Sequence, residues 1–291
     1  DRAGGGAGSP PAGASPLRLL LGGLLVGGLL GALLLGALLP AGAARAGEPA
    51  GEPLVPGFPG LLERVKASVV GVGTVAPLRT PREQLRGTGF VVGDGRHVAT
   101  NLHVLPEALD AEQQESLAVF LPALPGRPGG VRLARREAAD PHHDLVLLRI
   151  TDAPLPALRV GDSDRVREGE LYAFTGFPIG AVLGLYPVTH RALISAITPV
   201  AIPQGRAKDL TPGAIRRLRD PYPVFQLDGT AYPGNSGSPL YDPRSGEVVG
   251  ILNKIFVAAN RELALSRPAG IAFAIPARHL RALLERAGLE P

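Results

Sequence analysis

Short apolar runs dominate the chain after residue 60, and Gly, Pro and other turn-forming residues break these runs every few positions. This pattern is typical of short β-strands joined by tight turns. Twelve segments fit such strands: residues 68–75, 89–92, 97–100, 117–121, 131–136, 145–150, 171–175, 186–197, 224–226, 239–241, 248–254 and 270–274. A stretch with prolines and charges at residues 152–168 divides them into two groups of six. The pattern therefore predicts an all-β fold of two six-stranded β-barrels.

One clear helix is expected at the end of the chain, after Pro276. Leucines at positions 280, 283 and 284 make an apolar stripe at helical spacing, and arginines occupy the opposite face. The predicted domain limits are residues 61–151 for barrel one, 166–275 for barrel two and 276–288 for the closing helix, within one domain at 61–288.

The first 60 residues have a different composition, with 16 of the 39 Gly and 8 of the 30 Pro. We expect a disordered tail at residues 1–18, a hydrophobic segment at 19–40 and a linker at 41–60. Residues 19–39 carry no charged or polar side chain, and a helix of that length spans a membrane core of about 30 Å. Two interpretations remain open: an uncleaved membrane anchor, or a signal peptide that ends at residues 44–46. Both export the rest of the chain from the cytoplasm.

Composition excludes several kinds of chemistry. The sequence has no cysteine, so disulfides, cysteine zinc sites, iron–sulfur clusters and a cysteine nucleophile are ruled out. Lys and Arg number 30 against 26 Asp and Glu, which gives a net charge of +4. Only 4% of residues are aromatic and the charges are spread along the chain, so we expect no nucleic acid partner.

The candidate chemistry consists of a serine, a histidine and an aspartate. Ser236 lies between Gly234 and Gly237 on a tight turn, where a hydroxyl nucleophile has backbone N–H groups beside it. His103 follows a predicted strand, and Asp144 opens the apolar run at residues 145–150, where a carboxylate needs a partner. Base and acid then lie in the first barrel and the nucleophile in the second, which predicts a site in the cleft between them.

These stretches resemble the chymotrypsin-like serine proteases, most closely the bacterial HtrA (Deg) branch. The resemblance covers about residues 61–288 and rests on several motifs in the same order. They are Gly87-Thr88-Gly89-Phe90-Val91-Val92, Thr100-Asn101-Leu102-His103-Val104, Asp144-Leu145-Val146-Leu147-Leu148 and Pro233-Gly234-Asn235-Ser236-Gly237-Ser238-Pro239-Leu240. Ser238 departs from the family, which usually has a second Gly there. The resemblance implies antiparallel barrels and hydrolysis of peptide bonds in protein substrates.

Site residues follow from the resemblance position by position. It implies that Ser236 is the nucleophile, that His103 is the general base and acid, and that Asp144 orients the imidazole. Residues Gly234, Asn235 and Ser236 would form the oxyanion hole, with the N–H groups of Gly234 and Ser236 as donors.

Specificity and partners are also implied by the resemblance. Thr230 falls at the floor of the primary specificity pocket, and Asn253 is a further expected substrate contact. No carboxylate stands at position 230, so we expect small or medium aliphatic residues rather than Lys or Arg before the cleaved bond. HtrA relatives are often trimers, need no cofactor and act in protein quality control or regulated proteolysis. Most continue into a PDZ domain, whereas this sequence stops after its closing helix.

One rival function and two local features stand beside the protease hypothesis. A non-catalytic module could keep the fold and bind peptides in the cleft. A metal site at His142 and His143 is not expected, because adjacent residues of a strand point to opposite faces. The basic cluster at residues 206–219 is expected to be a solvated loop, with a regulatory or gating loop as the alternative.

Overall fold

A computed structural model describes residues 54–178, 184–200, 220–253 and 270–291 of the chain. Twelve strands occur in these described segments. Their bounds are β1 Val69–Val75, β2 Glu83–Val92, β3 His97–Asn101, β4 Ser116–Leu121, β5 Gly130–Asp140, β6 Leu145–Ile150, β7 Leu171–Gly176, β8 Val188–Pro199, β9 Pro223–Asp228, β10 Pro239–Tyr241, β11 Val248–Asn253 and β12 Ile271–Pro276.

The strands close into two antiparallel barrels of six strands each. The first has the order β1-β2-β3-β6-β5-β4, and the second has the order β10-β11-β12-β9-β8-β7. Every ladder between neighbouring strands is antiparallel, and closure leaves neither sheet with a free edge. The predicted all-β fold of two six-stranded barrels is confirmed.

Apolar side chains form three buried clusters: one inside each barrel and one between the barrels. Strand β6 shows how one sequence serves two of them. Leu145 and Leu147 face the cluster between the barrels, whereas Val146, Leu148 and Ile150 face the interior of the first barrel. Because successive side chains point to opposite faces, a strand buried on both sides must be a continuous apolar run. The docking of the barrels therefore rests on core packing.

Two helices cover the cluster between the barrels. Helix α1 (Phe58–Ser68) precedes β1, and helix α2 (Ala277–Arg286) follows β12 directly. The predicted leucine stripe of α2 is buried at Leu280, Leu283 and Leu284. Both helices pack their apolar faces into the cluster that lines the cleft wall. The two elements thus fix one barrel relative to the other.

Two strands extend furthest beyond the segments that the alternation marks. Strand β2 begins at Glu83 rather than residue 89, and strand β5 continues to Asp140 rather than residue 136. Most of the added residues are polar or only partly buried, so no apolar alternation marks them. They are held in the sheet by pairing with β1 and β6, which is a tertiary effect.

Some expectations concern residues outside the described segments. The hydrophobic segment at residues 19–40, the proposed cleavage position at 44–46 and the basic cluster at 206–219 all lie there. Across the described part of the chain, no helix has the length and apolarity needed to cross a membrane.

Candidate active site

His103 and Asp144 meet at the rim of the first barrel. The Nδ1 of His103 lies 2.6 Å from Oδ2 of Asp144, and the His103 backbone N–H donates to Oδ1 at 2.9 Å. The carboxylate accepts only, so the imidazole carries its proton on Nδ1 and leaves Nε2 as an acceptor. Asp144 is 6% exposed, while the side chain of His103 is 27% exposed. The arrangement places a partly exposed imidazole at the surface with a buried carboxylate beneath it.

The backbone around Asp144 brings these two side chains together. His103 lies in a 3-10 turn that follows β3, and Asp144 directly precedes β6, the strand that pairs with β3. Asp144 has a φ of 55°, in the left-handed region, which aspartate tolerates better than most residues. The Asp144 carbonyl accepts from the Leu102 N–H at 3.0 Å and from Nδ2 of Asn101 at 3.2 Å. Local hydrogen bonds thus fix the acid at the end of its strand.

Asn253 reaches the acid from the second barrel. Its Nδ2 donates to Oδ2 of Asp144 at 2.7 Å, and the residue is 2% exposed at the end of β11. The expectation that Asn253 contacts substrate stays a prediction; in this structure its buried amide donates to Asp144. The sequence did carry a signal, since a polar side chain that ends a buried strand needs a hydrogen-bond partner.

Ser236 sits on a turn that is held from both sides. Gly234 and Gly237 have φ values of 99° and 88°, which only glycine adopts without strain. The Thr88 N–H donates to the Ser236 carbonyl at 2.9 Å, and the Gly237 N–H donates to the Leu252 carbonyl at 2.9 Å. Ser236 is therefore pinned between β2 of the first barrel and β11 of the second.

The turn of Ser236 and the turn of His103 face each other across Gly87. A Cβ placed on Gly87 would contact the methyl groups of Val104 and the carbonyl oxygen of Ser236. Among the residues that the structure describes, no hydrogen bond joins Ser236 Oγ to His103, and the hydroxyl has no other partner. Such bonds are often long in enzymes that have no substrate bound. The structure thus joins His103 to Asp144 directly and brings Ser236 to the same cleft.

Two backbone N–H groups of the serine turn, those of Gly234 and Ser236, have no acceptor among the described residues. The Asn235 N–H donates to the Tyr232 carbonyl at 3.0 Å, whereas within the described segments the N–H groups of Gly234 and Ser236 donate to no acceptor. Asn235 therefore cannot contribute its N–H to the expected oxyanion hole in this conformation. The free amides are the two that the resemblance implies as donors.

Thr230 lies two residues after β9 and is half-buried, before the turn that carries Ser236. Its role in a specificity pocket stays a prediction. A cavity of about 960 Å³ opens beside His103, between residues 105–109 and the start of β4. Its lining includes Leu105 and Leu117 as well as three arginines, and all of the lining residues belong to the first barrel. The first barrel therefore has an open cavity next to the imidazole.

Three other histidines form a cluster close to Asp144. His142 and His143 lie in the turn between β5 and β6, which corrects the expectation that they belong to a strand. The rings of His143 and His279 stack with centroids 3.7 Å apart, and Nδ1 of His143 lies 2.8 Å from Oδ2 of Asp140. Burial, with a smaller contribution from the adjacent His143, lowers the pKa of His279 to about 3. Within the described residues, no group of three or more potential ligands has an arrangement that would hold a metal.

Comparison with known proteins gives a consistent family. The trypsin-like peptidase domain matches residues 87–251. A "Probable periplasmic serine endoprotease DegP-like" of Marinomonas sp. (strain MWYL1) is 30% identical over 207 residues, which are 71% of this chain and 36% of that protein. "Putative serine protease HhoB" of Synechocystis sp. is 30% identical over 200 residues, which are 69% of this chain and 39% of that protein. The chain thus spans less than two fifths of the length of these relatives.

Solved structures show the same architecture. An "HtrA-type protease AlgWS227A with tripeptide" aligns with a TM-score of 0.56 and 25% identity, over 79% of this chain and 62% of that one. The active form of the Rv3671c protease from M. tuberculosis aligns with a TM-score of 0.56 and 22% identity, over 79% of this chain and 85% of that one. The second likeness concerns the fold alone.

Proposed function

Because the chain belongs to the HtrA-type branch of the trypsin-like peptidases, we propose that it is a serine endopeptidase that cleaves exposed segments of proteins. The observation that supports this most directly is the hydrogen bond between His103 Nδ1 and Asp144 Oδ2, with a distance of 2.6 Å. That contact leaves Nε2 as a base, beside a turn where Ser236 has two free amides as neighbours.

The proposed reaction begins when Ser236 Oγ attacks the carbonyl carbon of the peptide bond. His103 Nε2 takes the hydroxyl proton, and Asp144 stabilises the imidazolium that results. The carbonyl oxygen becomes an oxyanion, which accepts from the N–H groups of Gly234 and Ser236. The C–N bond then breaks, and His103 gives its proton to the departing amine. Water attacks the acyl-enzyme by the same route and releases the carboxylic acid and the serine.

Asn253 has a supporting part in this proposal. Its amide donates to the same oxygen of Asp144 that faces His103 Nδ1. A carboxylate that is held by a second donor is less free to rotate away from its partner. Asn253 would therefore keep Asp144 aimed at the imidazole, as a positioning residue.

Specificity, location and assembly complete the proposal. Thr230 would shape a pocket for small or medium aliphatic side chains. Several relatives are named periplasmic endoproteases, which supports action outside the cytoplasm in quality control or regulated proteolysis. Residues 19–39 would supply the export signal or a membrane anchor, and a trimer is the expected assembly. Nucleic acid has no part in this proposal.

One observation favours a second candidate, a non-catalytic peptide-binding module. The hydrogen bond that would activate Ser236 is not formed between the described side chains of Ser236 and His103. A module of this kind would bind unfolded protein in the cleft and release it intact.

Hydrolysis of casein separates the two functions. We expect wild-type protein to produce casein fragments, and the Ser236→Ala and His103→Ala variants to lose activity by about 10⁴-fold or more. Ser245→Ala, an exposed serine in the turn before β11, is the matched control and should keep full activity. Intact casein with the wild type, together with casein binding, would support the non-catalytic module instead.

A further inference from the structure

Thr88 in β2 makes hydrogen bonds to both sides of the turn that carries Ser236. The residue is fully buried in the wall between the barrels. Its hydroxyl lies 2.6 Å from the carbonyl oxygen of Gly234, and its N–H donates to the carbonyl of Ser236 at 2.9 Å. One side chain and its own backbone thus hold the two residues whose amides are free.

The direction of the hydroxyl bond follows from a second contact. The Phe177 N–H donates to Thr88 Oγ1 at 3.0 Å, so the oxygen acts as an acceptor there. A hydroxyl has one proton, and a carbonyl oxygen accepts only. The Thr88 hydroxyl therefore donates its proton in a hydrogen bond to the Gly234 carbonyl oxygen, and Thr88 itself is fully buried.

The Gly234 carbonyl needs such a restraint because of its residue type. Gly234 has a φ of 99°, and glycine crosses between backbone regions more easily than any other residue. Its N–H and its carbonyl belong to the two peptide units on either side of its Cα. A carbonyl that is held by Thr88 limits the changes in φ and ψ that would turn the N–H away from the oxyanion position. The Thr88 bond opposes that rotation without contacting substrate.

Neighbouring glycines leave room for this arrangement. A Cβ on Gly176 would meet Thr88 Oγ1 at 3.0 Å, and a Cβ on Gly237 would overlap the Thr88 carbonyl oxygen. The Thr100 hydroxyl donates to that same carbonyl at 2.6 Å, so every polar group of Thr88 has a partner. Thr88 is therefore a fixed point against which the serine turn is aligned.

We propose that Thr88 is a positioning residue for the oxyanion donors Gly234 and Ser236. This inference rests on the proposed function, since it concerns the transition state of that reaction. Loss of one oxyanion donor costs about 10²–10³ in rate. Misalignment of a donor that is still present should cost less, and it should act on the transition state more than on bound substrate.

The test compares Thr88→Val with Thr88→Ser on a peptide that the wild type cleaves. Val keeps the shape and removes the hydroxyl, so we expect kcat to fall about 10- to 100-fold while KM changes less than threefold. Ser restores the hydroxyl and should recover kcat to within about threefold of wild type. Affinity for a peptide boronic acid, which mimics the tetrahedral intermediate, should fall with kcat.

A matched variant separates positioning from stability. Thr74→Val removes the hydroxyl of another fully buried threonine, which donates to Glu115 at 2.6 Å in the first barrel. It should lower the free energy of unfolding and leave kcat unchanged. If wild type cleaves the peptide and Thr88→Val cleaves it equally fast, the inference about Thr88 is wrong and the protease stands. A wild type that cleaves nothing overturns both proposals.

Discussion

Replacement of His279 by Phe should make the protein less sensitive to acid. In the folded protein, burial lowers the pKa of His279 to about 3, and His143 stacks on it at 3.7 Å. The ordinary pKa of histidine is about 6.5. Between about pH 3 and pH 6.5, His279 therefore binds a proton in the unfolded chain but not in the folded protein. Stability from this group is therefore present above pH 6.5 and is lost as the pH falls below it.

The size of the effect follows from these two pKa values. Between pH 7 and pH 5, linkage with pKa values of about 6.5 and 3 removes about 2 kcal/mol from the free energy of unfolding. The Asp140 carboxylate has a lowered pKa and stays ionised across this range. His279 thus accounts for a defined part of the acid sensitivity.

The His279→Phe variant would keep an aromatic ring against His143 and would remove the titration. We expect its loss of unfolding free energy from pH 7 to pH 5 to be about 2 kcal/mol smaller than that of the wild type. Urea unfolding at constant ionic strength, followed by circular dichroism because the chain has no Trp, measures both slopes. Equal slopes for the two proteins would refute the assignment of this acid sensitivity to His279.

Three further predictions concern the Asp144 carboxylate, the turn that carries Ser236 and the carboxylate of Glu115. Asn253→Ala should lower kcat about 10- to 100-fold in a peptide cleavage assay, because Asp144 loses a buried donor. Gly237→Ala should lower the unfolding free energy by about 3 kcal/mol or more in urea titration, because a Cβ would overlap Thr88 at a positive φ. Glu115, whose pKa is lowered to about 2 chiefly by a threonine hydroxyl, should lose about 3 kcal/mol of stabilisation as the pH falls from 5 to 2, and Glu115→Gln should lack this dependence in the same titration. Unchanged kcat, unchanged stability and an unchanged acid dependence, respectively, would contradict them.

Much of the fold was predictable because each barrel repeats a simple physical pattern. The run at residues 145–150 is apolar at almost every position, and the structure explains why. Leu145 and Leu147 pack into the cluster between the barrels, whereas the even positions face the interior of the first barrel. Strand β5 shows the limit of such reasoning. Its charged residues follow no alternation, and only pairing with β6 reveals its full length.

The site was predictable where chemistry is local and less so where the barrels meet. The turn around Ser236 has its own glycine signature, but Asn253 lies 109 residues from Asp144, and only docking of the barrels joins them. The placement of His142 and His143 in a strand was wrong for a local reason. Asp140 accepts from the N–H of His143 at 3.2 Å, and this side-chain bond makes a turn that competes with a strand.

Labelling with a serine-directed fluorophosphonate tests the central claim most directly. The account predicts one covalent adduct on the wild-type protein, located by mass spectrometry at Ser236 and not at the neighbouring Ser238. The adduct should disappear in Ser236→Ala and should form far more slowly in His103→Ala, because the base is lost. A wild type that stays unlabelled, or an adduct on another serine, would contradict the assignment of Ser236 as the nucleophile.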